Sequence, residues 1–316
     1  MMSLSTSNMP SPDVSVIIPT YNRASMLEEA LLSVVSQDFD GVVEIIVIDD
    51  NSQDGTSELV SQKYPYVRLI SLKQNEGAYV ARNRALLVAK GKYIAFLDSD
   101  DLWETNYLKS QITAFAGKER CFCVSAIVDW NTVKDQKKIK LQKPNLVKFT
   151  SPIHNLLVRG SFIITLSSVV FPRQVFDEVG LFDETCRVGG DNELYTRCLI
   201  ADYQPIFTKL PVVIYRKHDK GQLTDAKNLE LRKRSRLERV NKLYPLLEKR
   251  LDIASIQRIH AEIHAEFASQ YFKTKYLLHW LISSIESAYN ASPSYAMSNM
   301  KRDIEKLFSA VSIARR

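Results

Sequence analysis

Five carboxylates follow two apolar runs of this 316-residue chain: Asp49 and Asp50 after Val42 to Ile48, and Asp98, Asp100 and Asp101 after Tyr93 to Leu97. If the runs are strands of one sheet, these groups share an edge, repel one another and are costly to desolvate without counter-charge. A divalent cation or hydrogen bonds to a polar ligand would relieve that cost. Asp98-Ser99-Asp100 suits both, because hard oxygen ligands with open positions fit Mg²⁺ or Mn²⁺ shared with phosphate oxygens. Asp49 or Asp50 suits a ribose or base edge, as does the acid of a nucleotide-binding βαβ unit. Taken singly, each aspartate also reads as a turn or helix-cap residue. Asp191 follows Gly189-Gly190 and precedes a helical pattern, so it is either an N-cap or a general base placed at a helix N-terminus. Arg216 and His218 alternate at a strand end, where a lone histidine is more often packing or surface than ligand.

The elements that must position these residues follow from apolar periodicity. Val14 to Ile18 reads as a buried strand ended by Pro19. Leu27, Leu31, Val34 and Val35 mark one face of a helix. Val42 to Ile48, Val67 to Ser71 and Tyr93 to Leu97 are further strands. They are separated by a helix that Thr56 can cap and by Ala78 to Ala89, with Gly91 where a helix C-terminus favours glycine. The order β-α-β-α-β-α-β predicts a mostly parallel sheet covered on both faces, whose ligands bind beyond the carboxyl ends of the strands. Farther on, Cys121 to Trp130 and Ser167 to Phe171 read as strands, Asn131 to Asn145 as a Lys-rich loop or hairpin, and Val175 to Glu184 as helix and turn. Asn192 to Ile200 reads as a short helix. From Leu229 the chain is helical to about Leu307. The expected organisation is a flexible stretch over 1–12, an α/β domain over 13–220 and a helical region over 221–316.

No G-x-G-x-x-G follows the first strand and no G-x-x-x-x-G-K-[ST] occurs, which argues against a dinucleotide enzyme and an NTPase. Net charge is +6, with 42 Lys and Arg against 36 Asp and Glu. The excess is concentrated in Lys217 to Arg250, with eleven basic and five acidic residues, and in Lys134 to Lys148, with six lysines against Asp135. Such segments read as solvated faces or as contacts to an anionic membrane; without a recognition motif, nucleic acid is not expected as a partner. Cys121 and Cys123 are expected on opposite faces of their strand, and all four cysteines as reduced packing thiols of a cytosolic protein. Met1 to Asp13 does not read as a signal peptide. Two candidate motifs in the C-terminal region are read as structural. His260-Ala261-Glu262-Ile263-His264 departs from H-E-x-x-H and reads as a solvated helix face. Phe267, Tyr271, Phe272, Tyr276 and Trp280 recur at helical spacing and read as core.

Four segments, in order over about ninety residues, carry a family resemblance. They are Val16-Ile17-Ile18-Pro19-Thr20-Tyr21-Asn22-Arg23; Val47 to Thr56; Asn75-Glu76-Gly77 with Ala81-Arg82-Asn83; and Phe96-Leu97-Asp98-Ser99-Asp100-Asp101. They resemble the family 2 glycosyltransferases. The resemblance continues more loosely through Glu178 to Asp183, Gly190-Asp191 and Tyr215 to His218. It implies a GT-A fold, a Rossmann-like, mostly parallel mixed sheet flanked by helices, and an inverting enzyme using a nucleotide-diphosphate sugar. By position, Pro19, Thr20, Tyr21, Arg23, Asp49, Asp50, Gly77, Arg82, Asp98 and Ser99 would serve the donor. Asp100, joined by His218, would hold Mn²⁺ or Mg²⁺, and Asp191 would deprotonate the acceptor hydroxyl. The family commonly has an acidic residue before that aspartate; here it is Gly190.

The resemblance makes the expected function transfer of a hexosyl or N-acetylhexosaminyl unit, from UDP in first place, to a saccharide or lipid-linked acceptor in surface polysaccharide or glycolipid synthesis. The protein is expected in the cytoplasm or peripherally at the inner membrane face, with the C-terminal helices shaping the acceptor side and the basic C-terminal region touching lipid. The alternatives are a non-catalytic GT-A scaffold used for docking and a sugar nucleotidyltransferase. The latter carries a Gly-rich loop with Arg and Lys where this chain has Pro19-Thr20-Tyr21.

Overall fold

The apolar runs become strands in the computed structural model, which describes residues 11–147, 151–186, 188–217, 228–273 and 277–290. In chain order the elements begin β1 (Val14–Thr20), α1 (Ala24–Val35), β2 (Val43–Asp49), α2 (Thr56–Lys63), β3 (Arg68–Ser71), α3 (Ala78–Leu86) and β4 (Tyr93–Phe96). They continue with β5 (Leu102–Trp103), α4 (Tyr107–Ala114), β6 (Cys121–Asn131), β7 (Gln136–Lys140), α5 (Pro152–Val158), β8 (Val169–Pro172) and α6 (Gln174–Val179). They end with α7 (Gly190–Ile200), β9 (Gln204–Lys217), α8 (Leu229–Leu247), α9 (Ile253–Lys273) and α10 (Leu277–Asn290). The chain forms two units: Met1–Lys143, Ile163–Glu184 and Ala201–Asp219 make the first, and Pro144–Phe162, Thr185–Ile200 and Lys220–Arg316 the second.

The first unit is built on one nine-stranded sheet, ordered β3-β2-β1-β4-β8-β6-β9-β5 with β7 paired to β6. β3, β2, β1 and β4 are parallel, as alternating strand and helix patterns require. β8 lies antiparallel between β4 and β6, and β9 runs parallel to β6, so the sheet is mixed. All seven residues of β1 are buried, because parallel strands are covered on both faces. Leu27, Leu31 and Val34 of α1 join Val14, Val16 and Ile18 in the core. Val35 was expected on that face but is 48% exposed, since the stripe at i, i+4 and i+7 leaves it at the margin.

Three other local expectations change. Cys121 and Cys123 lie in the same core cluster, because residues two apart on a strand share a face. Both are free thiols, and burial pushes the Cys123 thiol up to about 12. Thr56 does not cap α2: Gly55, at φ 83°, is the N-cap, and the Thr56 hydroxyl donates to Asp54 at 2.5 Å. Gly91 does not end α3, which stops at Leu86. It is instead a close approach, where a Cβ would stand 2.3 Å from the Ser15 backbone nitrogen and 2.7 Å from Val14 C. Backbone cannot yield as a flexible side chain can. Gly91→Ala should therefore lower stability by about 1–3 kcal/mol, read as a reduced denaturation midpoint; an unchanged midpoint would contradict the close packing of this loop on β1.

In the second unit, Leu157, Val240, Leu243, Ile256, Ile263 and Phe267 form a separate core with Tyr271. The core reading of the aromatic series holds for Phe267 and Tyr271; the side chains of Phe272, Tyr276 and Trp280 lie outside the described residues. The basic segment is not simply a solvated face, because Lys233, Arg236 and Arg239 of α8 are buried. Lys233 Nζ donates to Ser283 at 3.0 Å and to Glu286 at 2.5 Å. Arg236 donates to the Val158 carbonyl at 2.6 Å and lies over the Phe267 ring. Burial, then the neighbouring Arg239 and Arg232, push its pKa down to about 9. The His260–His264 segment makes ion pairs within its own unit. His264 pairs with Glu286 at 2.9 Å, and Glu262 pairs with the buried His154 at 2.5 Å. That face packs inward rather than meeting solvent.

Candidate active site

The strand order reverses at β1, which has β2 on one side and β4 on the other, so the carboxyl ends of β1 and β4 flank the crevice of a doubly wound sheet. Side chains and backbone amides knit the loops beside it. Asn22, at φ 49°, receives a hydrogen bond from the Gln53 amide at 2.8 Å, and its own amide donates to Ser52 Oγ at 2.8 Å. The Ala24 amide donates to Asp54 at 2.9 Å. Burial raises the Asp54 pKa, but the Thr56 hydroxyl and the Ala24 and Thr56 amides outweigh it and hold the carboxyl below its ordinary value. Asparagine tolerates the left-handed backbone that such a turn requires.

The two aspartates after β2 do different work. Asp49 receives the Ser52 amide at 2.9 Å and the Ser57 hydroxyl at 2.5 Å, an arrangement that fixes its own turn. Asp50 receives the amides of Glu76 and Gly77 at 2.7 and 2.8 Å, and so clamps the loop entering α3. Gly77 takes φ 92° there. Pro19 and Thr20 end β1 in register with Ile48 and Asp49. Thr20 is buried, its hydroxyl without a partner among the described residues, whereas Tyr21 is 47% exposed.

After β4 the chain turns through Asp98-Ser99-Asp100-Asp101, closed by the Asp101 amide on the Asp98 carbonyl at 2.9 Å. Three arginines meet this turn from different elements. Arg82 on α3, buried beside the stacked rings of Tyr79 and Phe182, reaches Asp98 at 2.5 Å. Arg23, after β1, reaches Asp100 across the crevice at 2.7 Å. Arg216 of β9 donates through Nε to the Asp100 carbonyl and through Nη1 to Glu29. Ser99 is buried.

Two residues to which the resemblance gave no role, Asp101 and Arg216, shape the site. Asp101 is 1% exposed and accepts from Thr165 Oγ1 at 2.9 Å, Ser167 Oγ at 2.7 Å and the Arg216 amide at 3.2 Å. Burial first, then the charges of Asp98 and Asp100, raise its pKa well above the ordinary carboxylate range. Burial, then the charges of Asp101, Asp100 and Asp98, raise Tyr215. The signal for Arg216 was the charged Tyr215-Arg216-Lys217 at a strand end; for Asp101 it was the second member of an Asp-Asp pair.

Three carboxylates and three arginines thus meet at this turn, where burial and the charges of Asp98 and Asp100 disfavour the ionised form of Asp101. The turn's donors are hard carboxylate oxygens, and Asp100 retains 20% side-chain exposure. Among the described residues no group of three or more His, Cys, Asp or Glu is placed to hold a metal. These features fit a divalent cation held by one carboxylate and completed by phosphate oxygens and water, rather than an all-protein cage. His218 lies outside the described residues.

Asp191 belongs to the second unit. It is inside the first turn of α7 rather than at its N-cap, with Glu193 also in that turn. Carboxylates are favoured there by the helix dipole. Glu193 is buried and paired with Arg197 through two hydrogen bonds of 2.8 Å. Gly189 takes φ 76°, and a Cβ there would stand 2.3 Å from Arg239 Nη2.

Comparison with known proteins agrees with this architecture. The model for "Glycosyl transferase family 2" matches residues 15–180. The chain is 42% identical over 104 residues to the putative teichuronic acid biosynthesis glycosyltransferase TuaG of Bacillus subtilis, covering 32% of this chain and 41% of TuaG. It is 45% identical over 101 residues to WfaP of Escherichia coli, a UDP-Glc:alpha-D-GlcNAc-diphosphoundecaprenol beta-1,3-glucosyltransferase, covering 31% of this chain and 39% of WfaP. These matches thus span about two fifths of either relative's length. The structure of S. aureus TarS 1-349 with UDP-GlcNAc superposes with a TM-score of 0.61 at 18% identity, covering 88% of this chain and 81% of that one. The fold is of the GT-A type, and the chain belongs to glycosyl transferase family 2.

Proposed function

We propose that the protein moves a sugar from a UDP-sugar to a hydroxyl of a growing surface polysaccharide or lipid-linked glycan, with inversion at the anomeric carbon. The observation that carries this reading is the turn Asp98–Asp101, where Arg82, Arg23 and Arg216 converge on clustered carboxylates and Asp100 keeps part of its side chain exposed. TuaG and WfaP support the acceptor class, and WfaP and TarS support the UDP donor. Tyr21 and the Asp50-clamped loop at Gly77 are assigned to the nucleoside, and Arg82 with Asp98 and Ser99 to the ribose and sugar side. Asp100 would hold Mn²⁺ or Mg²⁺, which when bound neutralises charge on the departing diphosphate as a Lewis acid. Asp191 takes the acceptor hydroxyl proton as the new C–O bond forms and the bond to the diphosphate oxygen breaks.

Thermal-shift measurements test the donor assignment. UDP should raise the melting temperature with Mn²⁺ present and much less without it, because a ligand bound only by the native state stabilises it. A panel of UDP-, GDP- and dTDP-sugars then ranks the base. No shift with any nucleotide in the presence of Mn²⁺ would remove the proposal in favour of a non-catalytic scaffold.

A further inference from the structure

None of the residues assigned to the donor lies on the β6–β7 hairpin, yet its surface is unusual. Residues 133–143 carry five lysines, Lys134, Lys137, Lys138, Lys140 and Lys143, against the single acid Asp135. β7 stands off the main path of the sheet, and among the described residues it pairs only with β6. Four of its five residues are exposed. Edge strands often carry lysine to discourage pairing with other chains, which accounts for the charge alone. It does not account for Val133, Ile139 and Leu141, which are 57%, 66% and 55% exposed beside those lysines.

The register sorts these groups. Lys137 is opposite Trp130, and Ile139 opposite Val128, so Trp130, Lys137 and Ile139 share one face of the hairpin. The Lys137 ammonium lies 4.6 Å from the Trp130 ring centre. On the other face Asp129 is held by Lys140 and Lys217. Among the described residues, Lys134, Lys137, Lys138 and Lys143 form no ion pair with a carboxylate. The result is a projecting edge with aliphatic side chains, an indole and a surplus of long cations. Aliphatic groups favour the acyl boundary, tryptophan the headgroup level, and lysine stems snorkel so that the ammonium reaches lipid phosphates. The basic α8, expected from sequence to make such a contact, instead buries Lys233, Arg236 and Arg239.

We propose that the β6–β7 hairpin is a docking surface for an anionic lipid bilayer. Flotation of the full chain with vesicles tests this. The protein should float with vesicles of phosphatidylcholine and phosphatidylglycerol, not with phosphatidylcholine alone, and binding should weaken as salt rises. Lys137→Glu with Lys138→Glu should weaken partitioning by about tenfold or more. Ile139→Ser with Leu141→Ser should also weaken it, although every charge remains. Brominated phosphatidylglycerol should quench tryptophan emission in the parent, and Trp130→Phe should lose that quenching. Arg234→Glu, on the exposed side of α8, should bind as the parent does. Parent-like flotation by folded variants of both hairpin pairs, with unchanged melting temperatures, overturns the proposal. So does equal binding to neutral vesicles, or retention by dextran sulfate with no binding to vesicles, which would mark a site for a soluble polyanion.

Discussion

Asp191→Asn is expected to lower kcat by about two to four orders of magnitude, the usual contribution of a positioned general base. Asparagine keeps the size of the side chain and its place in the first turn of α7, so the melting temperature and the affinity for UDP should barely move. The loss should fall on kcat rather than on donor KM, as for an interaction made mainly in the transition state. Asp191→Ala should be equally inactive. Glu193 provides the internal control. It is the other acid of that turn, but it is 4% exposed and locked by two hydrogen bonds to Arg197. Glu193→Gln should therefore lower stability more than turnover. Turnover retained by both Asp191 variants, at parent-like donor affinity, removes the base assignment and leaves the protein an otherwise intact family member with a different proton acceptor.

The parallel half of the sheet was legible because each strand is a near-continuous apolar run bounded by turn residues, from Val14 to Ile18 through Tyr93 to Leu97. Local pattern does not encode order across a sheet. Nothing in Val169 to Pro172 announces an antiparallel strand between β4 and β6. β5, only Leu102–Trp103, has no periodicity to read, yet its pairing with β9 helps bring the Arg216 segment to Asp101. The site shows the same division. Asp50, Asp98 and Asp100 were visible as carboxylates at strand ends. That Asp101 is the buried member depended on Thr165 and Ser167, more than sixty residues away. The inward cations of α8 were hidden for a related reason: Lys and Arg pattern as surface, and only the packed carbonyl, ring and carboxylate partners show otherwise.

Asp100→Ala should reduce transfer by about a thousandfold or more, because the side chain assigned to the cation is lost when charge develops on the leaving diphosphate. The fold should survive. The ion pair of Asp100 with Arg23 joins side chains 20% and 38% exposed, and such pairs contribute at most about 1 kcal/mol. Removing that charge also relieves repulsion on Asp101. Its neighbour predicts the opposite pattern. Asp101→Ala strips the acceptor from two hydroxyls and the Arg216 amide in a buried setting, so it should cost about 2–5 kcal/mol. Melting curves and Mn²⁺ titrations separate the two. Asp100→Ala should melt like the parent, but UDP should no longer gain affinity when Mn²⁺ is added. Asp101→Ala should melt well below it, and where still folded should keep some response to the ion. An Asp100→Ala protein whose UDP affinity still rises with Mn²⁺ would place the cation on other ligands, leaving Asp100 as the partner that anchors Arg23 across the crevice.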